Sequence, residues 1–177
     1  MGLLDKGYVQ VYTGNGKGKT SAALGIALRA AGAGYKTLIV QFMKNFPYSE
    51  TKALEKFSDK IKIEQWIGDK FVIKRQPPSE DELNEAEKAL ERVKHALRSE
   101  EFDIIIMDEI CVSVYFKLYD KNRILEIVRT KPAGKELILT GRYCPEEIIA
   151  AADLVTEMKE IKHYYEQGVL SRKGIDS

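Results

Sequence analysis

The order of apolar segments in this sequence predicts an α/β fold, with a mostly parallel central sheet of about six strands and helices on both faces. Short apolar runs that fit strands alternate with longer stretches of helical periodicity along the chain. A glycine-rich loop joins the first predicted strand to the first predicted helix. With 177 residues, 44% of them hydrophobic, the chain has the size of one compact domain, so we expect a single domain over residues 1–177.

The first half of the chain contains three predicted strands and one helix. Tyr8–Tyr12 is apolar and ends at the glycine-rich loop, and Lys19–Ala33 is a helix that ends in glycines. Thr37–Phe42 reads TLIVQF, which is typical of a strand buried on both faces. Ile61–Trp66 alternates apolar and polar residues, which predicts a half-covered strand near an edge of the sheet.

A long amphipathic helix is predicted after Pro77 and Pro78. Ser79 and Glu82 have the spacing of a capping box, in which each residue satisfies a backbone group of the other. Apolar residues then recur at intervals of three and four, which predicts one buried stripe. The residues of that stripe are Leu83, Ala86, Leu90, Val93 and Leu97.

The second half continues the alternation of strands and helices. It contains a buried strand at Phe102–Met107, a helix at Asp120–Thr130, a strand at Glu136–Thr140, a short helix at Pro145–Ala152 and a last strand at Leu154–Met158. Residues 159–177 have no clear periodicity.

Composition argues against several classes of protein. Lys and Arg total 28 against 27 Asp and Glu, so no bulk positive charge favours nucleic acid or a membrane surface as a partner. The two cysteines, Cys111 and Cys144, form no CxxC pair, which argues against a zinc ribbon. The sequence shows no signal-peptide core and no apolar run near the roughly 20 residues that span a bilayer. We therefore expect a cytoplasmic protein.

The segment TGNGKGKTS has the context of a phosphate-binding loop, because it lies between a predicted strand and a predicted helix. Its glycines let several backbone N–H groups point at one anion, and the helix start adds a positive dipole. The general pattern is GxxxxGK[ST], and Thr13 stands at its first position instead of glycine. The alternative is a glycine- and lysine-rich surface turn. We interpret the chain as a P-loop NTPase-like protein whose ATP-binding candidates are Thr13, Gly14, Asn15, Gly16, Lys17, Gly18, Lys19, Thr20 and Ser21.

Candidate metal ligands come from the loop and from a pair of acids. Asp108 and Glu109 follow the buried run of the central strand, where ligands bind in such sheets. With the Thr20 hydroxyl they are candidates to hold Mg²⁺ or Mn²⁺ beside the phosphates. An acid that caps the next helix is the alternative. Arg142, after the next strand, is a candidate to neutralise phosphate charge or a surface arginine.

Several motifs together resemble the P-loop class of ATP:corrinoid adenosyltransferases. They are TGNGKGKTSAALGIALRAAGAG, then VQFMK at 40–44, DEI at 108–110, LTGR at 139–142, and KHYYEQGVLSRKGID in the tail. They cover nearly the whole chain in order. The resemblance implies transfer of the 5′-deoxyadenosyl group of ATP to cobalt(I) of a reduced corrinoid, cobalamin or cobinamide, with triphosphate as the leaving group. The corrinoid supplies the nucleophile, so the protein positions the two substrates and neutralises the charge of the triphosphate.

The resemblance also implies roles for individual residues. Lys19 and Arg142 would act on the departing triphosphate, and Gln41 and Lys44 are candidates for nucleotide or corrinoid contacts. His163 is a candidate corrinoid contact or a surface histidine. A homodimer and a cobalt-reducing flavoprotein partner are further expectations.

A second corrinoid element is expected at GDKFVIKR, residues 68–75. The family commonly has F-x-W here, and the two aromatic side chains are thought to displace the lower axial ligand of cobalt. Phe71 matches the first aromatic residue, and Ile73 replaces the second. The alternative is a short strand in which both residues belong to the core.

Two rival functions remain open at this level. A hydrolytic or phosphotransfer ATPase would use Glu109 to activate water or a hydroxyl. A non-catalytic ATP-gated switch would use the same loop without turnover.

Overall fold

The protein is built on one six-stranded sheet in which every pair of neighbouring strands is parallel. The computed structural model describes residues 4–44, 48–68 and 77–176. The strand order is β3-β2-β4-β5-β1-β6, and the predicted α/β fold is confirmed. The strands are β1 (Val9–Thr13), β2 (Thr37–Gln41), β3 (Ile61–Gln65), β4 (Ile104–Asp108), β5 (Glu136–Thr140) and β6 (Leu154–Glu157).

Six helices and two short 3₁₀ turns connect the strands in the described part of the chain. The helices are α1 (Lys19–Gly32), α2 (Ser49–Leu54), α3 (Glu80–Arg98), α4 (Ile110–Tyr115), α5 (Lys121–Thr130) and α6 (Glu146–Ala151), and the 3₁₀ turns are Glu55–Phe57 and Tyr164–Gln167. The sequence did not predict α2 or α4. Each has six residues, which is too short for a helical period to stand out from chance.

The core has two layers because the strands present alternate residues to opposite faces. On one face, Ala23 and Ala27 of α1 pack with Ile104 and Ile106 of β4. On the other face, Ile105 of β4 packs with buried residues of α3 and α5. Helices therefore cover both faces, as predicted. None of the helices in the described ranges is both long and apolar enough to cross a bilayer.

Helix α3 confirms the predicted capping box and most of the predicted stripe. Ser79 accepts from the Glu82 N–H, and the Glu82 side chain accepts from the Ser79 N–H. Ala86, Leu90, Val93 and Leu97 are buried, together with Ala89 and Ala96. Leu83 is 43% exposed, so that part of the prediction is wrong. Leu83 lies in the first turn of α3, and burial begins only at Ala86, where the helix reaches the sheet.

Strands β1 and β4 each extend one residue beyond their predicted carboxyl ends, and each added residue is a site candidate. β1 extends to Thr13, which pairs with Glu157 of β6. β4 extends to Asp108, which pairs with Gln41 of β2. Both residues therefore lie at the carboxyl edge of the sheet. Strand β3 lies at one edge and is half-buried, as predicted.

Candidate active site

The glycine-rich loop between β1 and α1 is fixed by the segment that follows β6. The N–H of Gly16 donates to the carbonyl of Met158 at 2.6 Å. A Cβ on Gly14 or Gly16 would lie 2.5 or 2.6 Å from that carbonyl oxygen, and Gly14 has φ +95°. Both positions therefore require glycine for close approach, and Gly14 requires it for its backbone conformation as well. The loop is held in place before any ligand arrives.

Lys19, at the first position of α1, is folded into this loop. Its Nζ donates to the carbonyls of Gly14 and Gly16 at 2.8 and 2.7 Å. Burial lowers the pKa of Lys19, while Glu109 and Asp108 partly oppose that effect. The ammonium group thus occupies the concave side of the loop, where phosphate oxygens would be bound.

Asp108 is the centre of a network of side chains at the end of β4. Its carboxylate is fully buried. It accepts four hydrogen bonds, from Thr20 (2.9 Å), Gln41 (3.0 Å), Lys44 (2.8 Å) and Thr140 (2.7 Å). Burial alone would lower the pKa of Lys44, but the contact with Asp108 raises it above its ordinary value. The two therefore form a buried ion pair.

Glu109 points elsewhere, because the backbone turns sharply after Asp108. Its φ of +65° lies in the left-handed region, and it occupies the N-cap position of α4 without a capping hydrogen bond to its side chain. The Glu109 N–H donates to the Thr140 hydroxyl at 2.9 Å. Burial, and then the neighbouring Asp108, raises the pKa of Glu109. Among the described residues, no donor is hydrogen-bonded to its carboxylate, so Glu109 presents an unpaired acid to the space beside the loop.

That space is a cleft of about 950 Å³ at the carboxyl edge of the sheet. Its cationic lining residues are Lys17, Lys19, Lys44 and Arg142. Its acidic lining residues are Glu50, Glu109 and Asp176, and its aromatic ones include Tyr48, His163, Tyr164 and Tyr165. A cleft with four cations converging on a glycine-rich loop suits a polyphosphate.

The tail of the chain closes one side of the cleft. Lys17 of the loop donates to the Tyr164 hydroxyl at 3.0 Å and to the carboxylate of Asp176. Arg172 also donates to Asp176 at 3.0 Å. The hydrogen bond from Lys17 lowers the pKa of Asp176, and the contact raises that of Lys17. Thus two cations share one carboxylate at the mouth of the cleft.

The structure brings most of the predicted site residues to the cleft. The lining includes Gly16, Lys17, Gly18, Lys19, Thr20, Ser21, Lys44, Glu109, Arg142 and His163. Thr13, Gln41 and Asp108 are buried behind it, and Gly14 and Asn15 are not in its lining. Gln41 donates to Asp108 and accepts from Gln65, and its contact with a nucleotide stays a prediction. Phe71 and Ile73 lie outside the described residues.

Sequence reasoning missed several lining residues that the fold supplies, among them two tyrosines and two acids. Tyr48 and Glu50 lie at the start of α2, a helix that the sequence did not predict. Tyr164 and Asp176 belong to a tail without periodicity. The tail motif KHYYEQGVLSRKGID contains both residues, but it did not indicate their contacts. His163 accepts from the Tyr165 N–H at 3.1 Å, and its ring lies 4.7 Å from that of Tyr164. It is part of the tail that borders the cleft.

Comparison with known proteins agrees with this geometry. The model of a family described as ATP:corrinoid adenosyltransferase BtuR/CobO/CobP matches residues 5–177. The chain belongs to the ATP:corrinoid adenosyltransferase family. This enzyme is therefore an adenosyltransferase, and ATP and a corrinoid are the substrates of its family.

Curated relatives match nearly the whole chain. The corrinoid adenosyltransferase of Escherichia coli (strain K12) is 31% identical over 173 residues, covering 97% of this chain and 86% of that protein. One from Sinorhizobium sp is 32% identical over 174 residues, covering 97% and 81%. One from Pseudomonas aeruginosa is 30% identical over 173 residues, covering 97% and 84%.

In the ligand-free protein, Glu109 rather than Asp108 offers a divalent metal a carboxylate that has no hydrogen-bonded donor among the described residues. The described residues contain no group of three or more His, Cys, Asp and Glu side chains that could hold a metal by themselves. Asp108 already accepts four hydrogen bonds, whereas the Glu109 carboxylate faces the cleft. A metal here would need phosphate or water oxygens to complete its ligands, as Mg²⁺ commonly does beside nucleotides.

Proposed function

We propose that this adenosyltransferase transfers the 5′-deoxyadenosyl group of ATP to cobalt(I) of a corrinoid and releases intact triphosphate. The observation that carries the proposal is the convergence of Lys17, Lys19, Lys44 and Arg142 on one cleft beside the phosphate loop. Such a set of cations stabilises a polyanion that leaves as a unit.

The electron pair in the reaction comes from the corrinoid substrate. Cobalt(I) attacks C5′ of the ribose, the cobalt–carbon bond forms, and the C5′–O bond breaks. The electron pair of the broken bond goes to the triphosphate oxygen. The protein then has no nucleophile to supply, and its contribution is to hold the two substrates in line and to stabilise the charge that develops on the leaving group.

The phosphate loop is proposed to hold the triphosphate. Lys19 would exchange the carbonyls of Gly14 and Gly16 for phosphate oxygens, because an ionised acceptor is the stronger partner. Lys17 would leave Asp176 in the same way. Arg142, which also lines the cleft, would contact the same leaving group. Backbone N–H groups of the loop complete the proposed anion site, except that of Gly16, which donates to the Met158 carbonyl.

Mg²⁺ or Mn²⁺ is proposed to be held by Glu109 and by the Thr20 hydroxyl, with Asp108 behind them. When bound, the metal would add positive charge to the triphosphate. Glu109 is suited to this role because its carboxylate is buried at the cleft without a hydrogen-bonded donor among the described residues. A hard cation would relieve the cost of that burial.

The remaining parts of the proposal come from the family resemblance. Phe71 and Ile73 would approach the lower face of the corrinoid, and His163 would lie near it. The corrinoid would be cobalamin or cobinamide, a flavoprotein would reduce the cobalt, and the enzyme would act in the cytoplasm as a homodimer of single-domain subunits.

The test is the identity of the phosphate product. The enzyme is incubated with ATP, Mg²⁺ and chemically reduced cobalamin, and the phosphates are separated by ion chromatography while absorbance reports the cobalt–carbon bond. We expect triphosphate and adenosylated corrinoid in equal amounts. Orthophosphate or pyrophosphate without a cobalt–carbon bond would instead identify an ATPase or phosphotransferase. Binding of ATP without any product would identify a nucleotide-gated switch. A reaction without protein corrects for the background rate.

A further inference from the structure

One cation of the cleft already occupies a position that suits a metal. The Lys44 ammonium lies 2.8 Å from the Thr20 hydroxyl oxygen and 2.8 Å from Asp108 Oδ2. A hydroxyl oxygen and a carboxylate oxygen are also the types of ligand that a hard divalent cation takes beside a phosphate loop. In the free protein, the lysine is bound to both.

The surrounding residues hold this arrangement in place. Lys44 follows Met43, whose φ of +57° lies in the left-handed region that a side chain such as methionine rarely adopts. The Phe42 N–H donates to the carbonyl of Asp108 at 2.9 Å, which ties the end of β2 to the end of β4. Gln41 donates to the same Asp108 oxygen as Lys44 and accepts from Gln65. The turn therefore directs the ammonium towards Asp108.

The Lys44 ammonium also has an alternative binding partner, a ligand bound in the cleft. Its side chain is only 13% exposed, yet it lines the cleft beside Lys19 and Thr20. A bound triphosphate would offer ionised oxygens to the same ammonium group. If Lys44 turned to the phosphates, the Thr20 and Asp108 oxygens would lose their cation and become available to another.

We propose that Lys44 is a built-in cation that excludes divalent metal from Thr20 and Asp108 until the triphosphate of ATP draws the ammonium away. The inference rests on the proposed function only in taking ATP and a divalent cation as joint ligands. Two cations cannot share oxygens at hydrogen-bond distance without strong repulsion. Metal and ATP therefore bind together, and the free enzyme keeps Asp108 neutralised without a metal.

The test measures Mn²⁺ binding without ATP or corrinoid, from the signal of free Mn²⁺ in electron paramagnetic resonance. Lys44→Gln removes the positive charge while its amide can still donate to Asp108. We expect this variant to bind Mn²⁺ at least about tenfold more tightly than the wild type, because a charge-assisted competitor is lost. Lys44→Arg keeps the charge and should bind as weakly as the wild type. Lys62→Gln, on the exposed edge strand, controls for the loss of one positive charge.

A double variant locates the metal. Lys44→Gln with Asp108→Asn should lose the gained Mn²⁺ affinity. Equal affinities in the wild type and Lys44→Gln, or a gain that persists in the double variant, would overturn the inference. If Lys44→Gln does not fold in metal-free buffer, circular dichroism with added Mn²⁺ decides: refolding supports the inference and no refolding overturns it. None of these measurements depends on which phosphate product the enzyme releases.

Discussion

An aspartate lies at each end of strand β4, Asp103 immediately before its first residue and Asp108 as its last, and the two have different settings. At the amino end, Asp103 accepts from the backbone N–H of Lys36 at 2.9 Å. At the carboxyl end, Asp108 accepts from four side chains, the nearest being Thr140 at 2.7 Å. Both aspartates are buried. One joins strands through a backbone group, and the other gathers side chains from four segments.

The lysines at the two ends of the sheet also differ in their hydrogen-bond acceptors. Lys135 donates to the carbonyls of Ser99 and Phe102, and Lys131 donates to the carbonyl of Gly7 at 2.8 Å. These carbonyls lie in loops and turns that the fold fixes. At the other end, Lys44 is bound to the side chains of Thr20 and Asp108, which face a cleft.

The difference shows how one sheet separates stability from function. A side chain that satisfies a buried carbonyl removes an unpaired polar group, and no ligand can replace it there. A side chain bound to another side chain beside a cleft can change partners when a charged ligand enters. We therefore expect substitutions at the amino end to change stability and those at the carboxyl end to change activity.

The largest effect is expected at Lys19. Lys19→Ala removes the ammonium from the phosphate loop and should lower the rate of adenosylation by at least about 100-fold, because a charge-assisted contact to the leaving group is lost. The Gly14 and Gly16 carbonyls also lose their donor, so the free energy of unfolding should fall by about 1–3 kcal/mol, and the rates are therefore compared per folded enzyme. Initial rates with chemically reduced cobalamin give the measurement, and Lys62→Ala is the exposed control. A folded variant with the wild-type rate would remove Lys19 from the phosphate site.

Glu109→Gln should impair the metal dependence of the rate while it increases the stability of the free protein. Loss of a metal-binding carboxylate should raise the Mg²⁺ concentration needed for half-maximal rate about 10- to 100-fold. The free variant should be more stable than the wild type at neutral pH. The pKa of Glu109 is raised by burial, so its ionised form costs stability in the folded protein.

The pH dependence of that stability gain has a definite sign. The cost of Glu109 is absent where the acid is protonated in both states and is complete above its raised folded pKa. The advantage of Glu109→Gln should therefore shrink as pH falls towards the ordinary value of 4.5. Thermal unfolding between pH 4.5 and 8 measures it, with the exposed Glu101→Gln as control. A Mg²⁺ titration that coincides with the wild type would make Asp108 the better metal candidate.

Lys135→Met tests the opposite end of the sheet. Two carbonyl oxygens, of Ser99 and Phe102, lose their charged donor, which should cost about 1–3 kcal/mol in the free energy of unfolding. The rate per folded enzyme at 25 °C should stay within about twofold of the wild type, because no cleft residue changes. Urea unfolding and initial rates are compared, with Lys36→Met as the exposed control at the same end. A tenfold loss of rate with unchanged stability would contradict the expectation that the amino end of the sheet affects stability and the carboxyl end affects activity.

The smallest effect is expected at Asp176, where the tail meets the loop. Asp176→Asn weakens the hold on Lys17, so this lysine meets less competition when triphosphate enters. We expect the KM for ATP to fall by up to about fivefold, the modest size typical of an exposed ion pair, with kcat unchanged. Raising the ionic strength should shrink the difference. A higher KM would mean that Asp176 helps to bind the nucleotide.

Local patterns predicted most of the fold but only part of the site. A capping box and a strong apolar stripe predicted the 19-residue α3, and both ends of β5 were predicted correctly. The phosphate loop could be predicted because its glycines, lysines and hydroxyl residue are consecutive in the sequence. Helix α4, six residues long, was missed, and with it the sharp turn at Glu109 that separates its carboxylate from that of Asp108.

The sequence by itself determined the α/β alternation, the phosphate loop and the family resemblance, because each depends on residues close together in the chain. The tertiary structure alone decided that Thr20, Lys44 and Thr140 meet at Asp108, across separations of 88, 64 and 32 residues. Parallel strands need crossover connections, so neighbours in the sheet are distant in sequence and no local pattern specifies them. The strand order that sets β4 between β2 and β5 therefore assembles a buried network that no single motif contains.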